Sequence, residues 1–234
     1  MKKSKLSVLV QPSMVIRILG TIVVILICAG IAVSCFRSIT GRSFAYGFVP
    51  GFELYRENNI PTFFSSVLML ISAGLLGIIA ISKRRRRDMY STHWLILSII
   101  FLCLSIDEVA SLHDLLTKPL RHALNLSGIL HFSWVIVGFI FVLFFMIFYL
   151  RFFFSLPSRI RYYFLISAFF LIGGAIGVEL IGGYYIDIHR TWDLTYGFIT
   201  TVEESFEMIG VLLFVIGLLK YIEGNISNVD FSFR

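Results

Sequence analysis

Charge is scarce in this sequence. Asp, Glu, Lys and Arg make up 15% of the 234 residues, where a soluble domain carries about 25%. Cysteine is scarcer still. Cys28, Cys35 and Cys103 are odd in number, and no CxxC or CxxCH spacing occurs among them. That excludes a disulfide scaffold, a zinc ribbon and a covalent haem site, and leaves the three as small apolar residues. With five prolines and no Gly-X-Y period, the chain is not collagen-like. There is no P-loop, no Rossmann fingerprint, no nucleophile elbow, no kinase signature set and no HExxH.

What the chain has in excess is apolar surface: 58% hydrophobic residues, 24 Phe and 10 Tyr, with a mean hydropathy of +0.89. A membrane-spanning helix needs about 20 mostly apolar residues. Six windows meet that length: 14–36, 61–82, 94–112, 132–150, 162–181 and 198–219. The fold class expected is all-α, a polytopic transmembrane bundle of about six helices forming a single integral membrane domain over residues 1–234.

The net charge of +6 does not imply nucleic acid, because its residues flank the apolar windows. With the N-terminus inside, one face holds Lys2, Lys3, Lys5, Arg17, Lys83 to Arg87, Arg151, Arg159, Arg161, Lys220 and Arg234. The other holds Arg37, Arg42, Arg56, Lys118, Arg121 and Arg190. Fourteen against six predicts N-in and C-in. The partners implied are membrane lipids; the sequence names no protein partner. The first segment reads as an uncleaved helix, although IAVSC ending at Cys35 also fits a loose lipobox. Pro61 suits a helix first turn with Asn59 as its cap. Residues 114–127 have the leucine spacing of a short helix on the outer surface, and 184–197 form an outer loop.

Ionisable residues inside a span cost about 2.5–3.5 kcal/mol each near the helix centre. Asp107, Glu108, Glu179, Glu203, Glu204 and Glu207 all fall in apolar windows. At 1.5 Å per residue all six lie in the outer half of the membrane. Glu57, His113, Asp114, His131, Asp187, His189 and Asp193 lie at or just beyond that boundary. Helix phase puts Asp107, Ser111 and Asp114 within about 60° of one another, and Glu203, Glu204 and Glu207 within about 100°. GxxxG at Gly173 and Gly177 allows close helix approach, which turns Glu179 inward.

The expected pocket is Asp107, Glu108, His113, Asp114, His131, Glu179, Glu203, Glu204 and Glu207, open to the outer face. Three readings follow. Carboxylates and imidazoles from several helices are the ingredients of a divalent-metal site, with Asp107, Glu108, His113, Glu179, Glu203, Glu204 and Glu207 as candidate ligands; it would serve a membrane-embedded enzyme acting on lipid-linked substrates. Clustered acids also suit a proton- or cation-coupled transporter. They suit equally a structural polar core paired with Lys118, Arg121 or Arg190. The Glu-x-x-His pairs of diiron bundles are absent, and His113 joins Glu108 only if the helix ends or bends near Ser111. Ser105 and Ser111 lie near the acids without a diagnostic hydrolase order. Trp134 and Trp192 read as interfacial anchors, His93 as a belt residue and His122 as solvated.

Three blocks, ENNIPTFFSS at 57–66, LSIDEVASLHD at 104–114 and VEESFEMIG at 202–210, resemble a group of uncharacterised bacterial multi-pass inner-membrane proteins. The likeness runs from about residue 50 to 220, with Asp114 standing where the group often has Glu. It implies a bacterial cytoplasmic membrane and no particular activity.

Overall fold

A computed structural model describes residues 11–54 and 58–226. The expectations placed on Lys2, Lys3, Lys5, Arg56, Glu57 and Arg234 lie outside the described residues. Six helices are long and apolar enough to cross a membrane: α1 (Pro12–Thr40), α3 (Ile60–Arg85), α4 (Ser91–Ala110), α6 (Trp134–Ser155), the continuous helix Ser158–His189 and α9 (Leu194–Asn225). Within Ser158–His189, α7 (Ser158–Ile172) passes through a π-helical segment, Gly173–Val178, into α8 (Glu179–His189). Two short helices complete the set, α2 (Phe48–Phe52) and α5 (Asp114–Leu124). Among the described residues there is no strand.

The helix ends follow local chemistry. Asn59 caps α3, its Oδ1 accepting the Thr62 N–H at 2.8 Å with Pro61 in the first turn. Its Nδ2 donates to the Glu53 carbonyl at 2.9 Å, which holds the entry loop. Glu53 is itself buried and paired with Arg37 at the end of α1. α4 stops at Ala110, two residues before its apolar window ends, because Ser111 turns left-handed (φ 49°) and returns its N–H to the Asp107 carbonyl. At the other end of the bundle Lys83 meets Asp88 at 2.8 Å. Partial burial works against the Asp88 carboxylate, but Lys83 and the Tyr90 N–H outweigh it and hold it below the usual range.

The core is built chiefly by α3, α4 and α9, with α1 and α7 packed against α9. Ser66 Oγ donates to the Ser105 carbonyl at 2.7 Å and Ser105 Oγ to the Ser66 carbonyl at 2.9 Å, so α3 and α4 are stitched where apolar contact alone would give no register. Ser105 is thereby a packing residue. Gly210 brings α9 against α7: a Cβ there would stand 2.6 Å from the Leu171 nitrogen. Ser167 Oγ adds a 2.8 Å bond to the Gly210 carbonyl. The expected GxxxG contact is displaced. Gly173 and Gly177 have nothing within 4 Å of a built Cβ, and the close approach to α9 is at Gly174, where a Cβ would meet the Glu203 carbonyl at 2.9 Å. The π segment is the reason. Its wider turn shifts the phase of every later residue by about 100° relative to an unbroken α-helix.

The loop expected at 184–197 is mostly helix, because α8 continues to His189 and α9 begins at Leu194. Asp193 caps α9, accepting the Tyr196 N–H at 3.1 Å and the Tyr185 hydroxyl at 2.7 Å. The short helix expected within 114–127 is present as α5. Leu115, Leu116 and Leu124 are exposed along it, and Asn125 ends it in a left-handed conformation (φ 48°).

α6 stands apart. Its closest backbone approaches are to α5 and to the π segment, and Phe144, Ile147 and Phe148 face outward. Side chains fasten it at both ends, to α4 at one and to the turn that follows α4 at the other. Near its C-terminus the Tyr149 hydroxyl donates to the His93 carbonyl at 3.0 Å, and His93 stacks on Phe152. Near its N-terminus Trp134 lies against His113, ring centres 4.6 Å apart. His93 is therefore part of an aromatic clamp rather than a lone boundary residue.

Candidate functional site

Between those two fastenings α4 and α6 part, and with α7, the π segment and α9 they enclose a cavity of about 930 Å³. Most of its wall is apolar, including Leu97, Ile100 and Leu104 from α4, Phe141 and Phe145 from α6, Ala168 and Leu171 from α7, and Phe214 from α9. One end is different. Asp107, Glu108, His113, Asp114, Glu179, Glu203, Glu204 and Glu207 all line it there. His131, expected with them, is not in the wall. It follows the turn Gly128–Leu130 and is drawn to α8, its Nδ1 3.2 Å from Asp187 while Arg121 donates to its Nε2 at 3.0 Å. Asp187 also accepts the Gly128 N–H at 2.8 Å. This second cluster ties the α5–α6 connection to α8. His189 stacks on Tyr185 and His122 is exposed, both away from the cavity.

The left-handed turn at Ser111 meets the condition for His113 to reach the acids. Folding back, His113 presents both its backbone N–H and its Nδ1 to Asp107, each at 2.9 Å. A carboxylate on Nδ1 fixes the Nδ1–H tautomer and leaves Nε2 as the proton-accepting atom of the ring. Glu179 is only 9% exposed. Its Oε1 accepts the Trp134 indole N–H at 3.1 Å, and it shares this end of the cavity with Glu203 and Glu207 of α9. Gly174 makes this possible, since a side chain there would strike the Glu203 carbonyl and the Glu207 side chain.

Three aromatic residues join the acids at the same end: Trp134, Trp192 and Tyr196. Trp192 meets Tyr196 edge-on at 4.8 Å. Trp134 and Trp192, expected as interfacial anchors, also line the cavity; a Trp beside a span boundary looks the same in sequence whether it faces lipid or the bundle. The acids do not meet at a point. Among the described residues no group of three or more His, Cys, Asp and Glu side chains is placed to hold a metal ion. They are spread around the end of a wide cavity, whereas ligands must all stand about 2.0–2.6 Å from one centre.

Six apolar spans with an ionisable site at one end define a multi-pass helical membrane protein. The chain belongs to the family described as Domain of unknown function (DUF8692), whose model matches residues 18–221. No curated protein and no solved structure matches it.

Proposed function

We propose that this protein takes a membrane amphiphile into the cleft and acts on its head group at the carboxylate end. The observation that carries this reading is the shape of the cavity: about 930 Å³, apolar along most of its wall, with its acidic and histidine side chains gathered at one end. Ligand pockets of about 300–1,000 Å³ accommodate small molecules and lipid chains. A cavity that only conducted ions or protons would need polar groups along its length; here the carboxylates stop where Phe101, Phe145 and Phe214 begin, and beyond them the described wall adds only the hydroxyls of Ser167 and Tyr149, both bonded to backbone carbonyls.

In this reading the chain of the amphiphile lies along α6 and α7, entering sideways between α4 and α6. The head reaches Asp107, His113 and the glutamates of α9. The Asp107–His113 pair is the proton acceptor for chemistry on the head, with Glu179 and Glu203 beside it in the wall. The expected setting is a bacterial cytoplasmic membrane with the acidic end outward, as the Lys and Arg distribution favours.

Mass spectrometry of the lipids that accompany the purified protein tests this. Wild type should carry a near-stoichiometric amphiphile. Ala168→Trp, which fills the cleft from α7, and Val142→Trp, which fills it from α6, should each lose it while the protein remains monodisperse. His113→Gln should retain it. Equal lipid content in wild type and both tryptophan variants would overturn the proposal.

A further inference from the structure

We infer that the head group taken by this cleft is an ammonium, so that the occupant is a lipid amine lacking a phosphate. The inference rests on the reading that the cleft holds an amphiphile, and it names the chemistry by which one amphiphile is told from another.

An apolar chain gains little by moving from bilayer to protein, because lipid tails are as apolar as the side chains that would replace them. Selection among membrane lipids must then come from the head. The acidic end of the wall offers Asp107, Glu108, Glu179, Glu203, Glu204 and Glu207, and among the described residues the wall contains no Lys or Arg. The nearby Arg121 is directed to His131, outside the wall. A phosphate placed among these carboxylates would meet like charge with no Lys or Arg of the described wall to balance it, whereas an ammonium meets opposite charge.

The aromatic residues point the same way independently. Trp134, Trp192 and Tyr196 line the same end. The Trp134 indole N–H is committed to Glu179 at 3.1 Å and one side of its ring to His113 at 4.6 Å, so what it presents along the wall is the rest of the ring rather than a donor. Trp192 stands edge-on to the buried Tyr196 at 83° and is itself exposed, so the pair sets an accessible indole at the corner of this end. Aromatic faces set around a carboxylate-rich end are what an alkylammonium binds through cation–π contact. A lipid alcohol would use neither the charge nor the faces.

Three chain-matched probes decide the matter: dodecylamine, dodecanol and dodecyl phosphate, titrated into the full-length protein in nanodiscs and followed by tryptophan fluorescence. The amine is expected to bind at least about tenfold more tightly than the alcohol, and the phosphate more weakly than either. Glu203→Gln with Glu207→Gln should bring the amine to the level of the alcohol and leave the alcohol unchanged. Trp192→Leu, which removes a ring and no carboxylate, should weaken the amine alone and keeps the test valid should the double variant misfold. If amine and alcohol bind equally and both are lost in Ala168→Trp, the cleft reading stands and the ammonium inference fails. Tightest binding by the phosphate also overturns it. If no probe binds, both readings fall.

Discussion

Two glycines on different helices, Gly210 of α9 and Gly177 of the π segment, separate what matters at the scale of a residue. A Cβ at Gly210 would lie 2.6 Å from backbone nitrogen, an atom that cannot yield without moving α7. Gly210→Ala should therefore cost about 1–3 kcal/mol, read as a lower melting temperature in detergent. Gly177→Ala meets nothing within 4 Å and should leave stability unchanged or raise it slightly, since Ala is the better helix former. A melting temperature equally lowered by both would contradict the packing described. The sequence made the wrong pair of glycines conspicuous, because GxxxG is read on the assumption of an unbroken 3.6-residue period. The acids were easier to read. Carboxylates in an apolar window stand out whatever the fold, and their depth follows from counting residues. The fold-back of His113 depended on one left-handed residue, Ser111, whose type carries no such signal, and the departure of His131 toward Asp187 depended on the length of α8.

Elements are limited by how they start and stop. α9 begins at a charged cap, and Asp193 is held below the usual carboxylate range first by the Tyr185 hydroxyl and then by the Tyr196 N–H. Its folded pKa is depressed, so the stabilisation is present above the unfolded value and is lost as pH falls through the folded one. Melting temperature followed from neutral pH into the acid range should show a decline below the ordinary Asp range that is reduced in Asp193→Asn, because Asn still caps but does not titrate. An unchanged acid profile in that variant would remove the cap from the account. The six spans were legible from length and hydropathy alone. Their true ends were not, since polar helix ends such as Tyr184 to His189 look like loop to a hydropathy window. The π segment makes a further prediction at this scale. A π segment holds one residue more than the α-helical stretch it replaces, so deleting Gly177 would restore an α-helical period and leave Glu179 at its present phase, still bonded to Trp134. The measurement is tryptophan emission, which should stay unshifted in the deletion; a shift would contradict the π segment as the source of the phase.

For the whole molecule the first question is which end faces which compartment. The turn at Asp88 and the turn at Arg190 lie at opposite ends of the bundle, because α3 and α4 meet at one and α8 and α9 at the other. In a background with Cys28, Cys35 and Cys103 replaced, all three being exposed to the surroundings of the bundle, a cysteine at 190 should react with an impermeant maleimide in intact cells. A cysteine at 88 should react only after permeabilisation. The reverse pattern would invert the orientation drawn from Lys and Arg.

α6 is fastened near its ends, by Tyr149 on His93 and by Trp134 on His113 and Glu179, and is nearly unsupported between them. A rod held that way bends most easily at its middle, and long helices bow gently at little cost. The girth of the cleft is then elastic while its acidic end, where the rod is clamped, is stiff. A site of that construction is strict about the end of a molecule and indifferent to the thickness of the rest.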